Sequence, residues 1–267
     1  MCLILFAWRC HRQYDLVLAA NRDEFHERPT AAAEFWEEDP RILAGRDLRG
    51  GGTWLGISTE GRIAAVTNYR DPASLKSDAP SRGALVSGFL MSEKAPGAYL
   101  DDIASCAGRY NGFSLLVGDG TSLHWFSNRG ERRELGAGLY GLSNRLLDTP
   151  WPKVVEGKQR LARVLSAKEP DGEEIFDVLS DRREAADDLL PDTGVGIEWE
   201  RFLSPRFIVH SLYGTRSSTV ILVSRRGRAR FIERSFDAQA HPWMTTDVAL
   251  EIGRPSSGGK REPHGRS

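Results

Sequence analysis

The sequence predicts a layered α+β domain with antiparallel β-sheet at its centre. Strand-length apolar runs pair across short polar turns, helical segments interrupt these pairs, and strand patterns return near the end of the chain. The 27 glycines and 13 prolines among the 267 residues supply the turns that many short strands require. We therefore expect one domain over residues 1–252, followed by a disordered tail over 253–267 that is rich in glycine, serine, proline and basic residues.

Three hairpins dominate the first half of the chain. The first joins the apolar run Cys2–Trp8 to the run Tyr14–Ala20. The other two turn at Glu60-Gly61 and at Gly118-Asp119-Gly120, and their strands span residues 53–58, 62–67, 113–117 and 123–127. Antiparallel pairing is therefore the main theme of this half.

Helical segments separate the hairpins from a final group of strands. Ser81 is predicted to cap a helix that runs to Leu90, and Pro96 to open a second helix that reaches Cys106. Apolar residues recur at helical spacing over residues 152–166. Beyond Pro205 the strand pattern returns, with strands at 219–224 and 228–233.

Charge and cysteine content exclude several classes of protein. The 36 basic and 37 acidic residues leave a formal charge of -1, so the chain has no overall field to hold nucleic acid or an anionic membrane. Its three cysteines show no Cys-x-x-Cys spacing, which favours a reducing, cytoplasmic compartment. The opening apolar run ends at Arg9, too short for a transmembrane segment.

Cys2 is the residue with the most distinctive chemistry. Removal of the initiator methionine, which is common before a small residue, would leave a free α-amine on this cysteine. An α-amine titrates at about 7.7–8.0 and a thiol at about 8.5, so one residue would hold both a base and the nucleophile that it activates. On composition alone, the simpler interpretation is a buried cysteine in an apolar edge strand.

Arg22 and Asp23 follow the second apolar run, where a solvated turn is the ordinary interpretation. The first hairpin, however, brings this point of the chain back beside Cys2. A guanidinium there would lower the pKa of the thiol, and a carboxylate would orient the α-ammonium. Because adjacent residues on a strand point to opposite faces, the assignment of Asp23 is less direct than that of Cys2.

Three further polar residues are placed at strand ends. Asn68 and Asn144 each end a strand-like segment, where a side-chain amide or a neighbouring N–H group can form an oxyanion hole; each, taken alone, also suits a turn. Arg216 opens a late strand and is either a second fixed positive charge or a surface arginine.

Histidine and cysteine spacing predicts no metal site. The six histidines show no paired spacing typical of ligands, and no Cys-x-x-Cys-His segment is present. Cys10, His11 and His26 have the chemistry of axial haem ligands, but nothing in the sequence singles them out.

Six segments, in this order, carry a resemblance to a known family: Met1-Cys2, Asn21-Arg22-Asp23-Glu24, Gly51-Gly52-Thr53-Trp54-Leu55-Gly56, Thr67-Asn68-Tyr69-Arg70, Gly141-Leu142-Ser143-Asn144 and Tyr213-Gly214-Thr215-Arg216-Ser217-Ser218-Thr219. Over residues 1–236 the chain resembles the NRDE, or transport and Golgi organisation protein 2-like, family. The resemblance implies the N-terminal nucleophile hydrolase-like fold, a four-layer αββα sandwich with two antiparallel sheets.

The same resemblance implies roles for individual residues. Cys2 would be nucleophile and base, Arg22 and Asp23 its electrostatic support, and Arg216 a further support for the thiolate. The remaining pair, Asn68 and Asn144, would form the oxyanion hole. More distantly, the order of these residues is similar to that of choloylglycine hydrolases and penicillin V acylases, which space the arginine and the aspartate apart.

Two functions are therefore expected as alternatives. The first is an amidohydrolase or acyltransferase that acts on an amide or thioester of a small molecule and requires no cofactor. The second is a non-catalytic protein that uses the same crevice to bind or traffic haem, acyl-CoA or lipid. A retained Met1 would favour the second, because a blocked amine cannot act as the base.

Overall fold

Two antiparallel sheets face each other, and helices cover their outer surfaces. A computed structural model describes residues 2–167 and 169–253, so the tail predicted for 253–267 lies outside the described residues apart from Gly253. The first sheet contains β1 (Cys2–Trp8), β2 (Tyr14–Phe25), β10 (Gly138–Leu142), β11 (Tyr213–Ser224), β12 (Arg228–Phe236) and β13 (Pro242–Glu251). The second contains β3 (Thr30–Phe35), β4 (Ile42–Asp47), β5 (Leu55–Ser58), β6 (Ile63–Asn68), β7 (Phe113–Gly118), β8 (Leu123–Ser127) and β9 (Arg132–Glu134).

The strands of each sheet pair with antiparallel neighbours. The first sheet has the order β10-β1-β2-β11-β12-β13, and the second follows chain order from β3 to β9. The helices are α1 (Gly83–Met91), α2 (Pro96–Cys106), α3 (Pro152–Leu165), α4 (Gly172–Leu179) and α5 (Ile197–Phe202). None of the helices in the described part of the chain is long and apolar enough to cross a membrane.

Alternation along the strands builds the layers. On β1 and β2, Ile4, Phe6 and Leu18 point into a core shared with the second sheet. Their neighbours Leu5 and Val17 point the other way, into a core closed by α3 and α4. A third core lies between the second sheet and the helices α1 and α2. The expected four-layer αββα sandwich is therefore confirmed.

The main difference from the sequence prediction is the length of β2. This strand continues to Phe25, so the polar residues Asn21–Glu24 lie inside the sheet rather than in a turn. They stay in the sheet because β11 pairs with the whole segment along one edge, and β1 pairs with Asn21 and Arg22 along the other. The buried polar side chains of β2 are consequently available to a site.

Other boundaries also differ from the prediction. The prediction did not include β3, β4, β9 or β13, whose short or polar sequences lack a clear alternation. Ser81 is not the N-cap of α1: that helix starts at Gly83 after Arg82, and no side chain caps it. The helix predicted from Pro96 to Cys106 is confirmed, and the one predicted over 152–166 ends at Leu165.

Candidate active site at Cys2

Cys2 begins β1 and lies beside a cavity of about 450 Å³ between the two sheets. Its Cα pairs with that of Arg22 on β2, as the predicted hairpin required. On the other side, the hydroxyl of Ser143 donates a hydrogen bond to the Cys2 carbonyl at 3.1 Å. The backbone that carries the thiol is therefore held from both neighbouring segments.

The cavity wall combines residues from both sheets and from the segment that leads into α1. Cys2, Arg22, Asp23 and Glu24 belong to the first sheet. The other lining residues are Arg28, Asp47, Arg49, Gly50, Thr53, Trp54, Val66, Asn68, Ser77, Ala79, Pro80, Ser81, Arg82, Gly83 and Asn111. The wall is thus rich in charged and hydrogen-bonding groups around a single thiol.

The surroundings of Cys2 favour the protonated thiol. Burial raises its pKa above the ordinary value and the charge of Asp23 raises it further, although Cys2 remains partly exposed. Arg22 and the backbone N–H of Asp23, which donates to the sulphur, lower the pKa without reversing the shift. Nucleophilic attack by this sulphur therefore requires a base to remove its proton.

Arg22 lies on the face of β2 that looks toward the second sheet. Its side chain is 5% exposed, and its guanidinium carbon stacks 4.3 Å from the centre of the Trp54 ring. The Nη1 atom is buried without a hydrogen-bond partner among residues 2–167 and 169–253. The structure thus brings a buried positive charge to the wall beside Cys2.

Trp54 was not predicted to belong to the site, although its motif was noted. A Cβ atom added to Gly45 would lie 2.4 Å from the Trp54 ring, so this glycine makes room for the indole. A Cβ atom added to Gly52 would lie 2.5 Å from the backbone carbon of Gly83, at the start of α1. The glycines around Trp54 therefore allow the ring under Arg22 and bring α1 up to the cavity.

Replacing Gly52 with alanine is expected to destabilise the protein and distort the cavity. The added Cβ meets backbone rather than a movable side chain, so the loop must shift, at a cost of about 2 kcal/mol. Urea denaturation measures this change in the free energy of unfolding. Gly136→Ala is the matched control because a Cβ there has no neighbour within 4 Å. Equal stability of the two variants would contradict the close contact between Gly52 and the backbone of Gly83.

Asp23 projects toward the outer face of the first sheet, as the alternation along β2 predicts. It is 1% exposed, and its Oδ1 accepts a hydrogen bond from the Thr215 hydroxyl at 2.7 Å. The Tyr213 hydroxyl donates to its backbone oxygen at 3.1 Å. Burial raises the pKa of Asp23, while the charge of Lys153 and the bond from Thr215 lower it. The two hydrogen bonds fix the position of Asp23. Although it projects toward the outer face, Asp23 also lines the cavity.

A buried lysine that sequence reasoning did not identify lies behind Asp23. Lys153, in the first turn of α3, is 4% exposed, and its Nζ donates to the Leu203 carbonyl at 2.9 Å. Burial lowers the pKa of Lys153 to about 8, against partial compensation by Asp23. One sequence pattern could have identified this lysine as buried. It lies at helical spacing from Gly157 and Leu161, which share the apolar face of α3.

The stability of the protein is expected to rise with pH between about 8 and 10.5 because of Lys153. Below this pH range, Lys153 is protonated in both the native and the unfolded protein, and burial of its charge destabilises the native state. Within it, the native lysine is neutral while the unfolded one still binds a proton, so stability grows by roughly 2–3 kcal/mol across the range. Urea denaturation from pH 7 to 10.5 measures this rise. It should be absent from Lys153→Met, and identical pH profiles for the two proteins would contradict it.

The two asparagines occupy different positions relative to the cavity. Asn68 ends β6 and lines the wall. Asn144 is fully buried behind it, and its Nδ2 donates to the Asn68 carbonyl at 3.0 Å. The Asn144 carbonyl in turn accepts from the N–H of Arg70 at 2.8 Å. Asn144 therefore holds the backbone of Asn68, and the oxyanion role of the pair stays a prediction.

Arg216 lies at an irregularity of β11, where the register shifts between Thr215 and Ser217. Its Nη1 donates to three carbonyls at the end of β2 and in the loop that follows, those of Phe25, His26 and Arg28, at 2.9, 3.3 and 3.1 Å. The cavity wall does not include it. The geometry gives Arg216 a role in fixing this loop, and its support of the thiolate stays a prediction.

Arg82 is a further cavity residue that the sequence did not indicate. It precedes α1, is half-buried, and donates from Nη1 to the Gly112 carbonyl at 3.0 Å. Burial lowers the pKa of Arg82, while the nearby Cys2 and Glu24 raise it. A basic residue just before a helix is not a sequence pattern that predicts a place in a cavity wall. The position of Arg82 beside Cys2 is therefore seen only in the folded structure.

The residues considered as haem ligands lie away from the cavity. Cys10 and His11 follow β1 at the far turn of the first hairpin, and His26 follows β2, with its Nε2 3.0 Å from the His210 carbonyl. None of the three lines the cavity. Among residues 2–167 and 169–253, no group of three or more His, Cys, Asp or Glu side chains is arranged to hold a metal ion. A haem ligand stays a prediction.

Comparison with solved structures gives two similar chains. One is a Caenorhabditis elegans orthologue of N-acylethanolamine-hydrolyzing acid amidase, with a TM-score of 0.49 and 11% sequence identity over 83% of this chain and 92% of that one. The other is the C2A mutant of a conjugated bile acid hydrolase from Clostridium perfringens, with a TM-score of 0.49 and 8% identity over 93% of this chain and 92% of that one.

Sequence comparison gives much closer relatives. A mouse protein described as Transport and Golgi organization 2 homolog is 37% identical and covers 94% of this chain and 99% of its own length. A bovine homologue is 39% identical over 92% and 97% of the two chains, and a Drosophila melanogaster relative is 28% identical over 88% and 92%. The profile of the Transport and Golgi organisation 2 family matches residues 1–238. The first sheet of this chain carries a thiol, a stacked guanidinium and a buried carboxylate. The chain belongs to the Transport and Golgi organisation 2 family.

Proposed function

We propose that this protein is an N-terminal cysteine hydrolase or acyltransferase that acts on an amide or thioester of a small molecule. The observation that carries the proposal is the meeting of Cys2, Arg22 and Asn68 at one cavity, which the buried Asp23 also lines. A cavity of about 450 Å³ has the size of a small-molecule site.

The base in this mechanism is the α-amine of Cys2. Once Met1 is removed, that amine is attached to the same residue as the thiol and titrates at about 7.7–8.0. The raised pKa of the thiol means that the amine must take its proton as attack begins. The carboxylate of Asp23, held by Thr215, supplies the negative charge that stabilises the resulting ammonium.

Acylation forms one bond and breaks another. The Cys2 sulphur attacks the substrate carbonyl carbon, the thiol proton passes to the α-amine, and the carbonyl oxygen takes up negative charge. The Asn68 side chain, on the cavity wall, is the proposed donor to that oxygen. When the tetrahedral species collapses, the α-ammonium returns the proton to the departing amine or thiol, leaving an S-acyl enzyme.

Deacylation reverses these steps with a different nucleophile. Water, or an acceptor amine, gives a proton to the α-amine and attacks the thioester carbonyl. The Cys2 sulphur then leaves and recovers its proton from the ammonium. Arg22 favours departure of the sulphur because its guanidinium lowers the pKa of this thiol.

Pre-steady-state kinetics test the proposal. Mixing the protein with a chromogenic thioester, and separately with a chromogenic amide, should give a burst of released product close to one equivalent, because the acyl-enzyme accumulates before water resolves it. The Cys2→Ala variant should give no burst. Tight binding of these compounds without burst or turnover would contradict the proposal and favour the carrier expected as the alternative.

A further inference from the structure

The cavity beside Cys2 has an excess of arginine over carboxylate partners. Of its four arginines, Arg28 forms ion pairs with Glu24 and Asp47. The other three, Arg22, Arg49 and Arg82, form no ion pair with any residue in the described ranges 2–167 and 169–253. The wall therefore presents positive charge that the protein itself does not neutralise.

Arg22 is the most informative of these groups. It is 5% exposed, yet its Nη1 has no hydrogen-bond partner among the described residues. Three carboxylates, Asp23, Asp47 and Glu233, lie close enough for Arg22 to lower their pKa values, but Arg22 forms an ion pair with none of them. A buried guanidinium that has no carboxylate in direct contact is stabilised when a ligand brings a negative charge to the cavity that it lines.

Arg82 approaches the same thiol from the side of the second sheet. Its guanidinium donates from Nη1 to the Gly112 carbonyl, and it lies near enough to Cys2 that a thiolate there raises the pKa of Arg82. Because Arg22 belongs to the first sheet, the two guanidinium groups flank the space beside the sulphur. That arrangement suits a ligand oxyanion, since guanidinium groups pair with carboxylate and phosphate oxygens through charge-assisted hydrogen bonds.

We propose that the cavity selects a substrate that carries an anionic group, a carboxylate or a phosphate, bound by Arg22 and Arg82 next to the carbonyl that Cys2 attacks. The assignment of this ligand as a substrate rests on the proposed function, whereas the anion site rests on the wall itself. Neutral acyl compounds of the same size would bind more weakly, because they carry no negative charge to pair with the two guanidinium groups of the wall.

Alkylation of Cys2 with a matched pair of reagents tests the anion site without any turnover. Iodoacetate and iodoacetamide react alike: the thiolate displaces iodide, a sulphur–carbon bond forms, and the thiol proton goes to solvent. They differ in charge at nearly the same size. The ratio of the iodoacetate rate to the iodoacetamide rate at Cys2 should exceed that at the exposed Cys10 by about tenfold, as expected for attraction between nearby opposite charges.

Two variants of Arg82 test whether this residue raises the rate ratio at Cys2. Arg82→Gln should lower the rate ratio at Cys2 severalfold, and Arg82→Lys should restore part of it. Arg12→Gln is the control because it removes the same charge from the exposed far turn of the first hairpin. Should the Arg82 variants fail to fold, protection of the wild-type Cys2 from iodoacetamide by inorganic phosphate or by succinate gives the same information. Stronger protection by one of them identifies the preferred anion.

Equal rate ratios at Cys2 and Cys10 would overturn the inference, as would a Cys2 that neither anion protects and neither reagent reaches. These outcomes are separate from a failure of the proposed function. A protein that favours iodoacetate at Cys2 but shows neither an acyl-enzyme burst nor turnover has the anion site without the hydrolase activity. A protein that shows the burst with equal rate ratios has the activity without the anion site.

Discussion

Substitution of Cys2 by alanine is expected to lower the turnover of amide or thioester substrates by at least about 10³-fold, the scale seen when a covalent nucleophile is removed. The thiol is the group that forms the acyl-enzyme, and the cavity wall offers no second sulphur, because Cys10 and Cys106 lie elsewhere. Steady-state kcat with the substrate that gives the largest burst measures the loss.

Two comparisons make this result specific. Cys10→Ala and Cys106→Ala remove a thiol outside the cavity and should keep the wild-type kcat. Cys2→Ala should keep the wild-type thermal stability to within a few degrees, because the residue is only partly buried at the start of β1. Wild-type turnover by Cys2→Ala would exclude this residue as the nucleophile.

Substitution of Glu200 by alanine is expected to give the largest loss of stability. Glu200 forms a buried ion pair with Arg70, whose side chain also stacks 4.8 Å from the Trp151 ring centre. The side chains are 2% and 5% exposed, so removal of the carboxylate leaves a buried guanidinium without its counter-charge. Breaking such a pair from one side costs about 3–5 kcal/mol, and urea denaturation measures it.

The double variant Arg70→Met, Glu200→Leu is the appropriate comparison. Removing both charges avoids the uncompensated guanidinium, so the double variant should be more stable than Glu200→Ala. The pair also borders the site, because the N–H of Arg70 donates to the carbonyl of Asn144. A loss below about 1 kcal/mol in Glu200→Ala, the level of an exposed pair, would contradict the role of this ion pair in the core.

Much of the fold follows from local pattern. The apolar run Cys2–Trp8 and its partner from Tyr14 predict the central hairpin, and Pro96 predicts the start of α2. The strands β3, β9 and β13 could not be predicted in this way. Their sequences are mixed or polar because they lie at sheet edges, where a strand needs little apolar surface.

The candidate site was predictable in part for a different reason. The hairpin register alone places Arg22 beside Cys2, so this pair follows from the sequence. Arg82 and Lys153 do not, because each approaches from another layer of the sandwich and its distance to Cys2 depends on how the layers stack. For Arg216 the sequence motif identifies the residue but not its contacts. A β-bulge in β11 directs its guanidinium to backbone carbonyls at the end of β2 and in the loop that follows.

Cys2 is the proposed N-terminal nucleophile, and the intact mass of the native protein before and after treatment with a thiol-directed acylating probe tests this role. We expect a chain that has lost Met1 and gains one acyl group, located at Cys2 by peptide mapping and absent from the Cys2→Ser variant. A chain that retains Met1, or a Cys2 that reacts no faster than Cys10 and Cys106, would contradict this role.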